Sequence, residues 1–112
     1  IQFLYFIVKS MSILELNGGA CVAMAGEGCF VIASDNRLGE QFKTISMEVP
    51  KLNVVNDKVV MGLTGLRTDQ QTFANLLEYE IKMYKLREQR DISGKALTAL
   101  VAHTLYQARF GP

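Results

Sequence analysis

Residues 20–34 read ACVAMAGEGCFVIAS, which is two apolar runs on either side of a short glycine-containing loop. The runs, Ala20 to Ala25 and Cys29 to Ser34, each have the length and composition of a β-strand. Gly26-Glu27-Gly28 between them is a turn signal, because glycine adopts positive φ angles at no steric cost. The stretch therefore predicts a β-hairpin.

The two cysteines of the chain lie in this predicted hairpin. Pairing the strands about Glu27 places Cys21 opposite Ala33. The same register places Cys29 opposite Ala25, so the thiols do not face each other and a disulfide between them is not expected. No CxxC pair or Cys/His cluster is present, so the sequence offers no ligand set for a metal. We expect two thiols that act as small apolar residues in a reducing compartment.

Further strands are predicted after the hairpin. Asp35 to Gly39 is a polar break, and Gln41 to Met47 alternates enough for a short strand. Lys51 to Val55 and Lys58 to Leu63 are two more apolar runs of strand length, and Asn56-Asp57 between them predicts a tight turn.

The hydrophobic period then becomes helical. Thr68-Asp69-Gln70-Gln71 fits a capping box at the start of a long amphipathic helix. Its apolar positions are Phe73, Leu76, Leu77, Ile81 and Tyr84. Ser93 is a suitable N-cap for a second helix, which Gly111-Pro112 would end. The apolar stripe of this second helix is Ala96, Leu97, Leu100, Val101, Thr104 and Leu105.

Strands followed by helices predict an α+β fold, an antiparallel sheet with helices on one face. The opposite sheet face has nothing in these 112 residues to cover it. We therefore expect the isolated piece to self-associate or to be marginally stable. Residues 11–112 show no linker or repeat and are predicted to form one domain. Residues 1–10 are treated as an upstream extension of uncertain origin, an edge strand or interface arm if native, because Met11-Ser12-Ile13 resembles a natural start.

Composition excludes several classes of protein. Apolar residues make up 49% of the chain and charged residues 21%, which is typical of a folded globular domain. The formal charge of +1 argues against a nucleic-acid partner. The apolar run at residues 1–8 is far shorter than the roughly 20 residues that span a bilayer, so no membrane partner is expected.

Several segments, in this order and spacing, resemble proteasome beta subunits. Val31 to Arg37 resembles their strand with an Asp-x-Arg ending, and Met61 to Gly65 resembles the glycine-bearing loop ahead of their first long helix. The subtype that these segments resemble most is type 3. That likeness rests on residues 11–13, 17–20, 63–72 and 105–112, and it extends over residues 11–112.

The resemblance implies an amino-terminal-nucleophile hydrolase fold, a four-layer αββα sandwich of which residues 11–112 are the amino-terminal half. Working members attack a peptide carbonyl with an amino-terminal Thr, assisted by a Lys that an Asp orients. Counted with the family's spacing from Asp35 as the orienting Asp, the Thr position falls on Gly19. The Lys position falls on Lys51, and the glycine whose amide serves the oxyanion falls on Gly65.

A site of this kind has no attacking group, because glycine carries no hydroxyl. The resemblance therefore implies no catalytic residue, no cofactor and no metal, and a degenerate site at Gly19, Asp35, Lys51 and Gly65. Self-cleavage also needs that hydroxyl, so the Gly18–Gly19 bond is predicted to stay intact. The implied function is that of a structural subunit completing the beta ring of the 20S core, in ubiquitin-dependent protein degradation. The implied partners are other beta and alpha subunits in stacked seven-membered rings, in the cytoplasm and nucleus.

Other interpretations remain open at this point. Asp35 and Lys51 are read first as a buried ion pair that fixes strand geometry. His103, the only histidine, is read as a partly buried helix residue rather than a catalyst. An active threonine-type endopeptidase subunit would need Thr at position 19. A stand-alone α+β scaffold module would be recovered without ring partners.

Overall fold

The computed structural model describes residues 17–40 and 42–111 of the chain. The predicted upstream extension at residues 1–10 and the natural start at residues 11–13 lie outside the described residues.

Six strands precede two helices in the described part of the chain. The strands are β1 (Cys21–Gly26), β2 (Cys29–Ser34), β3 (Leu38–Glu40), β4 (Lys43–Ser46), β5 (Leu52–Asn56) and β6 (Val59–Gly62). The helices are α1 (Arg67–Glu88) and α2 (Gly94–Gln107). The strands pair as three antiparallel hairpins, β1 with β2, β3 with β4 and β5 with β6. The predicted α+β class is confirmed.

The predicted β1–β2 hairpin forms, but its register centred on Glu27 is wrong by one residue. Cys21 pairs with Ser34, and Cys29 pairs with Gly26. The reason is a two-residue turn whose second residue, a glycine, has a φ of 71°. The cysteines thus stand at opposite ends of the hairpin, and within the described residues no disulfide joins them.

The other two hairpins also differ from prediction in detail. The polar break expected at residues 35–39 is partly wrong, because Leu38–Glu40 pairs with Lys43–Ser46 as a short strand. The turn expected at Asn56-Asp57 lies one residue later. Asn56 pairs with Val59, and its side-chain oxygen accepts a hydrogen bond from the backbone N–H of Lys58 at 2.9 Å. The polar Asn56 side chain stabilises the turn from the end of the strand.

The hydrophobic core lies where β6 meets the two helices. Its buried members are Val59, Met61, Leu63, Leu77, Ile92, Leu97 and Val101. Phe73, Ile81 and Tyr84 of α1 pack against it, as the helical period predicted. Leu76 was expected in the same stripe but is 44% exposed, which corrects that assignment. The stripe that reaches the core is therefore narrower than the run of apolar residues.

The two helices begin in different ways. Ser93 caps α2 as predicted, because its hydroxyl accepts a hydrogen bond from the N–H of Ala96 at 3.2 Å. The capping box predicted at Thr68 is wrong, since α1 already begins at Arg67. The N-cap residue of α1 is Leu66, whose hydrocarbon side chain cannot accept a hydrogen bond. The regular part of α2 ends at Gln107, ahead of the expected stop at Gly111-Pro112.

One face of the β1–β2 hairpin is exposed and apolar. Val22 and Met24 of β1 and Val31 of β2 are 65%, 76% and 67% exposed. Residues alternate between faces along a strand, and Met24 is directly paired with Val31, so these side chains share a face. A bare apolar face of this kind is the physical basis of the expected self-association, which stays a prediction.

Candidate functional site

Lys51 is a buried lysine that lies immediately before β5 and has 3% of its surface exposed. Its ammonium nitrogen donates to Oδ2 of Asp35 at 2.9 Å, to the carbonyl of Asp35 at 3.1 Å and to the carbonyl of Arg37 at 2.9 Å. A lysine ammonium has three protons. These three acceptors therefore use its full hydrogen-bonding capacity.

Asp35 follows β2 and is held from two sides. Its Oδ1 accepts from the backbone N–H of Ala20 at 2.9 Å, and its Oδ2 accepts from Lys51. These hydrogen bonds, first that of Ala20 and then that of Lys51, lower the pKa of Asp35 from its ordinary value of 3.8. The carboxylate is thus ionised at neutral pH and forms an ion pair with Lys51.

Gly19 lies directly against the hydrocarbon stem of Lys51. A Cβ atom built on Gly19 would stand 2.5 Å from Cε of Lys51 and 3.0 Å from its Cδ. The φ of Gly19 is 136°, a conformation that residues with a side chain rarely adopt. The fold therefore brings together Gly19, Asp35 and Lys51, three of the four residues that the family resemblance selected.

Gly65 lies in the loop between β6 and α1 and has a φ of 126°. Its carbonyl accepts a hydrogen bond from the side-chain amide of Gln70 at 3.1 Å. The strand leading to this loop is joined to Lys51, because the N–H of Leu63 donates to the Lys51 carbonyl at 2.9 Å. The expected role of the Gly65 amide stays a prediction.

Cys21 carries a nucleophilic thiol near Lys51 and Asp35. Burial is the main influence on its thiol and raises its pKa, while the charge of Lys51 acts in the opposite direction and that of Asp35 adds to the increase. Because the thiolate is the reactive form of cysteine, a raised pKa makes Cys21 a poor nucleophile.

Two residues that sequence reasoning missed help to build the site. The carbonyl of Arg37 receives one of the three Lys51 protons, and its guanidinium covers Gly39 at the place where a Cβ would be. Asn17 hydrogen-bonds both the carbonyl of Gly39 and the first amide of α1. Neither contact follows a local sequence pattern, and the α1 contact joins residues 50 positions apart.

The described part of the chain offers little to other kinds of site. In residues 17–40 and 42–111, no group of three or more His, Cys, Asp or Glu side chains is placed to hold a metal ion. None of the helices described combines the length and apolar character needed to cross a bilayer. His103 lies exposed on α2, not partly buried as expected.

The described residues form an α+β domain of three β-hairpins and two helices, in which the buried Lys51 packs on Gly19 and forms an ion pair with Asp35. The family model described as "Proteasome subunit" matches this chain over residues 15–112. The chain therefore belongs to the proteasome subunit family, and the family resemblance seen in the sequence is confirmed.

The curated relatives that this chain matches are named as beta type-3 subunits. The chain is 71% identical over 102 residues to the proteasome subunit beta type-3 of Trypanosoma brucei brucei. It is 52% identical to the probable proteasome subunit beta type-3 of Schizosaccharomyces pombe and 48% identical to the proteasome subunit beta type-3-A of Arabidopsis thaliana. Each match covers 91% of this chain and 50% of the relative. The chain thus spans about half the length of the curated relatives that it matches.

Proposed function

We propose that the chain serves as a non-catalytic, structural beta subunit of the 20S proteasome core. In this role it completes a seven-membered beta ring, stacked with alpha rings around a chamber that degrades ubiquitin-tagged proteins. The relatives named proteasome subunit beta type-3 support this proposal. The observation that carries it is the contact between Gly19 and Lys51.

Position 19 lacks the chemistry of a threonine-type nucleophile. Covalent catalysis of the threonine type needs a hydroxyl to attack and a base to accept its proton. Gly19 supplies no hydroxyl. The ammonium of Lys51 donates its three protons to Asp35 and Arg37, so none is directed toward position 19. The pair of charges acts in this chain as a structural element that ties the start of β5 to the end of β2.

Space and backbone conformation also favour glycine at position 19. The stem of Lys51 occupies the volume that a side chain at position 19 would need, with Cε at 2.5 Å from the Cβ position. The backbone of Gly19 also has a φ of 136°, which penalises any residue other than glycine. Loss of the nucleophile is thus accompanied by a local structure that is adapted to glycine.

The physical case for assembly rests on exposed apolar surface. The β1–β2 face of Val22, Met24 and Val31 is open. Exposed apolar faces of this kind are usually buried against another protein surface. In the proposed assembly, that surface belongs to the remainder of a beta-type domain and to ring neighbours. We also propose a cytoplasmic and nuclear location, which the presence of two cysteines without a disulfide between them supports.

The test uses proteasomes purified from the source cell. Intact-mass measurement should find this chain in the particle at one copy per beta ring, with the Gly18–Gly19 bond uncleaved. Treatment with a covalent threonine-directed inhibitor should modify sibling subunits and leave this chain at its original mass. An inhibitor adduct on this chain would overturn the non-catalytic assignment. A mature chain that begins at Gly19 would overturn the prediction that the Gly18–Gly19 bond stays intact. Recovery of the chain only outside such particles would overturn the proposed assembly.

A further inference from the structure

Asn17 binds two distant parts of the fold through one side chain. Its Oδ1 accepts a hydrogen bond from the backbone N–H of Arg67 at 2.9 Å, and its Nδ2 donates to the carbonyl of Gly39 at 3.0 Å. Arg67 is the first residue of α1, and Gly39 is the central residue of β3. The side-chain amide of Asn17 therefore hydrogen-bonds both the first backbone N–H of α1 and a backbone carbonyl of β3.

The contact with Arg67 solves a problem that the local sequence leaves open. The first four N–H groups of an α-helix lack partners within the helix, and a polar side chain at the N-cap usually accepts one of them. In α1 the N-cap position holds Leu66, which has no acceptor in its side chain. Asn17, located 50 residues earlier in the chain, provides the missing acceptor.

The backbone after Asn17 is shaped for this contact. Gly18 has a φ of 63° and Gly19 a φ of 136°, so two successive residues adopt conformations that favour glycine. They turn the chain from Asn17, beside α1 and β3, to Ala20, whose N–H donates to Asp35 at 2.9 Å. The same turn places Gly19 on the stem of Lys51. Two glycine residues thus join the capping contact to the Lys51–Asp35 ion pair.

We propose that Asn17 is a long-range helix cap, which makes the segment ahead of Gly19 a permanent part of the folded domain. The side chain of Asn17 links the start of α1 to β3 through two hydrogen bonds. This link depends on an uncleaved Gly18–Gly19 bond. A break at that bond leaves Asn17 without covalent attachment to the strands, and the first turn of α1 loses its acceptor. This role belongs to the domain itself and does not depend on assembly into a ring.

Hydrogen exchange on the chain expressed from its own coding sequence tests the cap directly. In Asn17→Ala both hydrogen bonds are lost, and we expect amides in the first turn of α1 to exchange about five- to tenfold faster. In Asn17→Asp the Oδ acceptor is kept and the Nδ2 donor is lost. We therefore expect protection of the first turn of α1 to be retained, whereas the β3–β4 hairpin exchanges faster.

Asn75→Ala is the matched control, because Asn75 is exposed on the same helix and its side chain makes no hydrogen bond to residues 17–40 and 42–111 in the structure. We expect it to leave exchange at the start of α1 unchanged. Two shortened chains separate the cap from the residues ahead of it: one that begins at Asn17 should keep the protection, and one that begins at Gly19 should lose it.

Equal exchange at the start of α1 in Asn17→Ala and Asn75→Ala would overturn the proposal. Equal protection in the two shortened chains would overturn it as well. Neither result would affect the proposed ring assembly, whose test is recovery within the particle. If Asn17→Ala fails to fold, the two shortened chains still decide the matter, because they keep or remove Asn17 without substituting it.

Discussion

Lys51 and Asp35 form an ion pair with an N–O distance of 2.9 Å in which the two partners are exposed to water very differently. The side chain of Lys51 is 3% exposed, whereas that of Asp35 is 41% exposed. The buried partner donates all three of its ammonium protons, to Asp35 and Arg37. The exposed partner can gain a proton from solvent, which makes the pair sensitive to acid.

The contribution of Asp35 to stability should disappear in acid. Because its pKa is lower in the folded chain than the ordinary value of 3.8, the folded state favours the ionised form. The stabilisation is fully present above the unfolded-state pKa, about pH 4, and is lost as the pH falls through the folded-state pKa. We expect the difference in free energy of unfolding between wild type and Asp35→Asn to be largest at neutral pH and to vanish in acid.

Urea unfolding of the full-length chain at a series of pH values measures this difference. Its size at neutral pH should be below the roughly 3–5 kcal/mol typical of breaking a fully buried pair, because Asp35 is partly solvated. Asp57→Asn, in the exposed β5–β6 turn, serves as control and should show a small difference at every pH. A difference for Asp35→Asn that does not change between neutral and acid conditions would contradict the ion pair.

Neighbouring leucines in α1 should respond very differently to truncation. Leu77 is completely buried in the core, whereas Leu76 is 44% exposed. We expect Leu77→Ala to lower the free energy of unfolding by about 2–5 kcal/mol, since it leaves a cavity among packed side chains. Leu76→Ala should cost about 1 kcal/mol or less. Chemical unfolding monitored by circular dichroism compares the two variants. Equal losses in the free energy of unfolding would show that Leu77 does not lie deeper in the core than Leu76.

The same pair of leucines shows how far the sequence predicts this fold. Some local signals were reliable, such as the Ser93 cap and the helical spacing of Phe73 and Ile81. The capping box predicted at Thr68, which is also a local signal, was wrong because α1 begins at Arg67. Periodicity alone did not define the edge of the stripe, because Leu76 and Leu77 are adjacent and equally apolar. Which of them is buried depends on the direction from which β6 and α2 approach.

The candidate site was predictable to a similar extent. The family resemblance selected Gly19, Asp35 and Lys51, and the structure places these residues together. The role of Asn17 was not predicted. Its Oδ1 accepts a hydrogen bond from an amide 50 residues later in the chain, and local sequence patterns do not predict contacts over that separation. The hairpin register was also missed, since the Gly26-Glu27-Gly28 loop permits a turn centred either on Glu27 or on the Glu27–Gly28 bond.

The two cysteines should differ in reactivity toward iodoacetamide. Cys29 is exposed at the tip of the β1–β2 hairpin, whereas Cys21 is partly buried and its pKa is raised chiefly by that burial. Because alkylation proceeds through the thiolate, we expect Cys29 to be modified first at neutral pH. Peptide mass spectrometry at successive times measures both rates. In denaturant the two rates should converge, and faster modification of Cys21 in the folded chain would contradict its burial.

Substitutions at the two successive glycines should have unequal costs. Gly18→Ala adds a Cβ that meets no atom within 4 Å, so only the φ of 63° penalises it. We expect a loss of about 1–2 kcal/mol in the free energy of unfolding. Gly19→Ala must adopt a φ of 136°, which lies outside the left-handed region occupied by Gly18, and it also places its Cβ 2.5 Å from Cε of Lys51. The loss should therefore be larger, and Gly19→Thr should be more destabilising still without gaining peptidase activity.

A double-mutant cycle with Lys51→Ala separates the steric part of the Gly19 effect from the backbone part. Shortening Lys51 removes the Cδ and Cε atoms that a new Cβ would meet. The loss caused by Gly19→Ala should then be smaller in the Lys51→Ala background than in wild type, whereas the loss caused by Gly18→Ala should not change. An equal Gly19→Ala loss in both backgrounds would mean that backbone conformation, rather than the lysine stem, restricts position 19 to glycine. Inhibitor-sensitive peptide hydrolysis by Gly19→Thr would instead show that Lys51 can still move aside and serve a nucleophile.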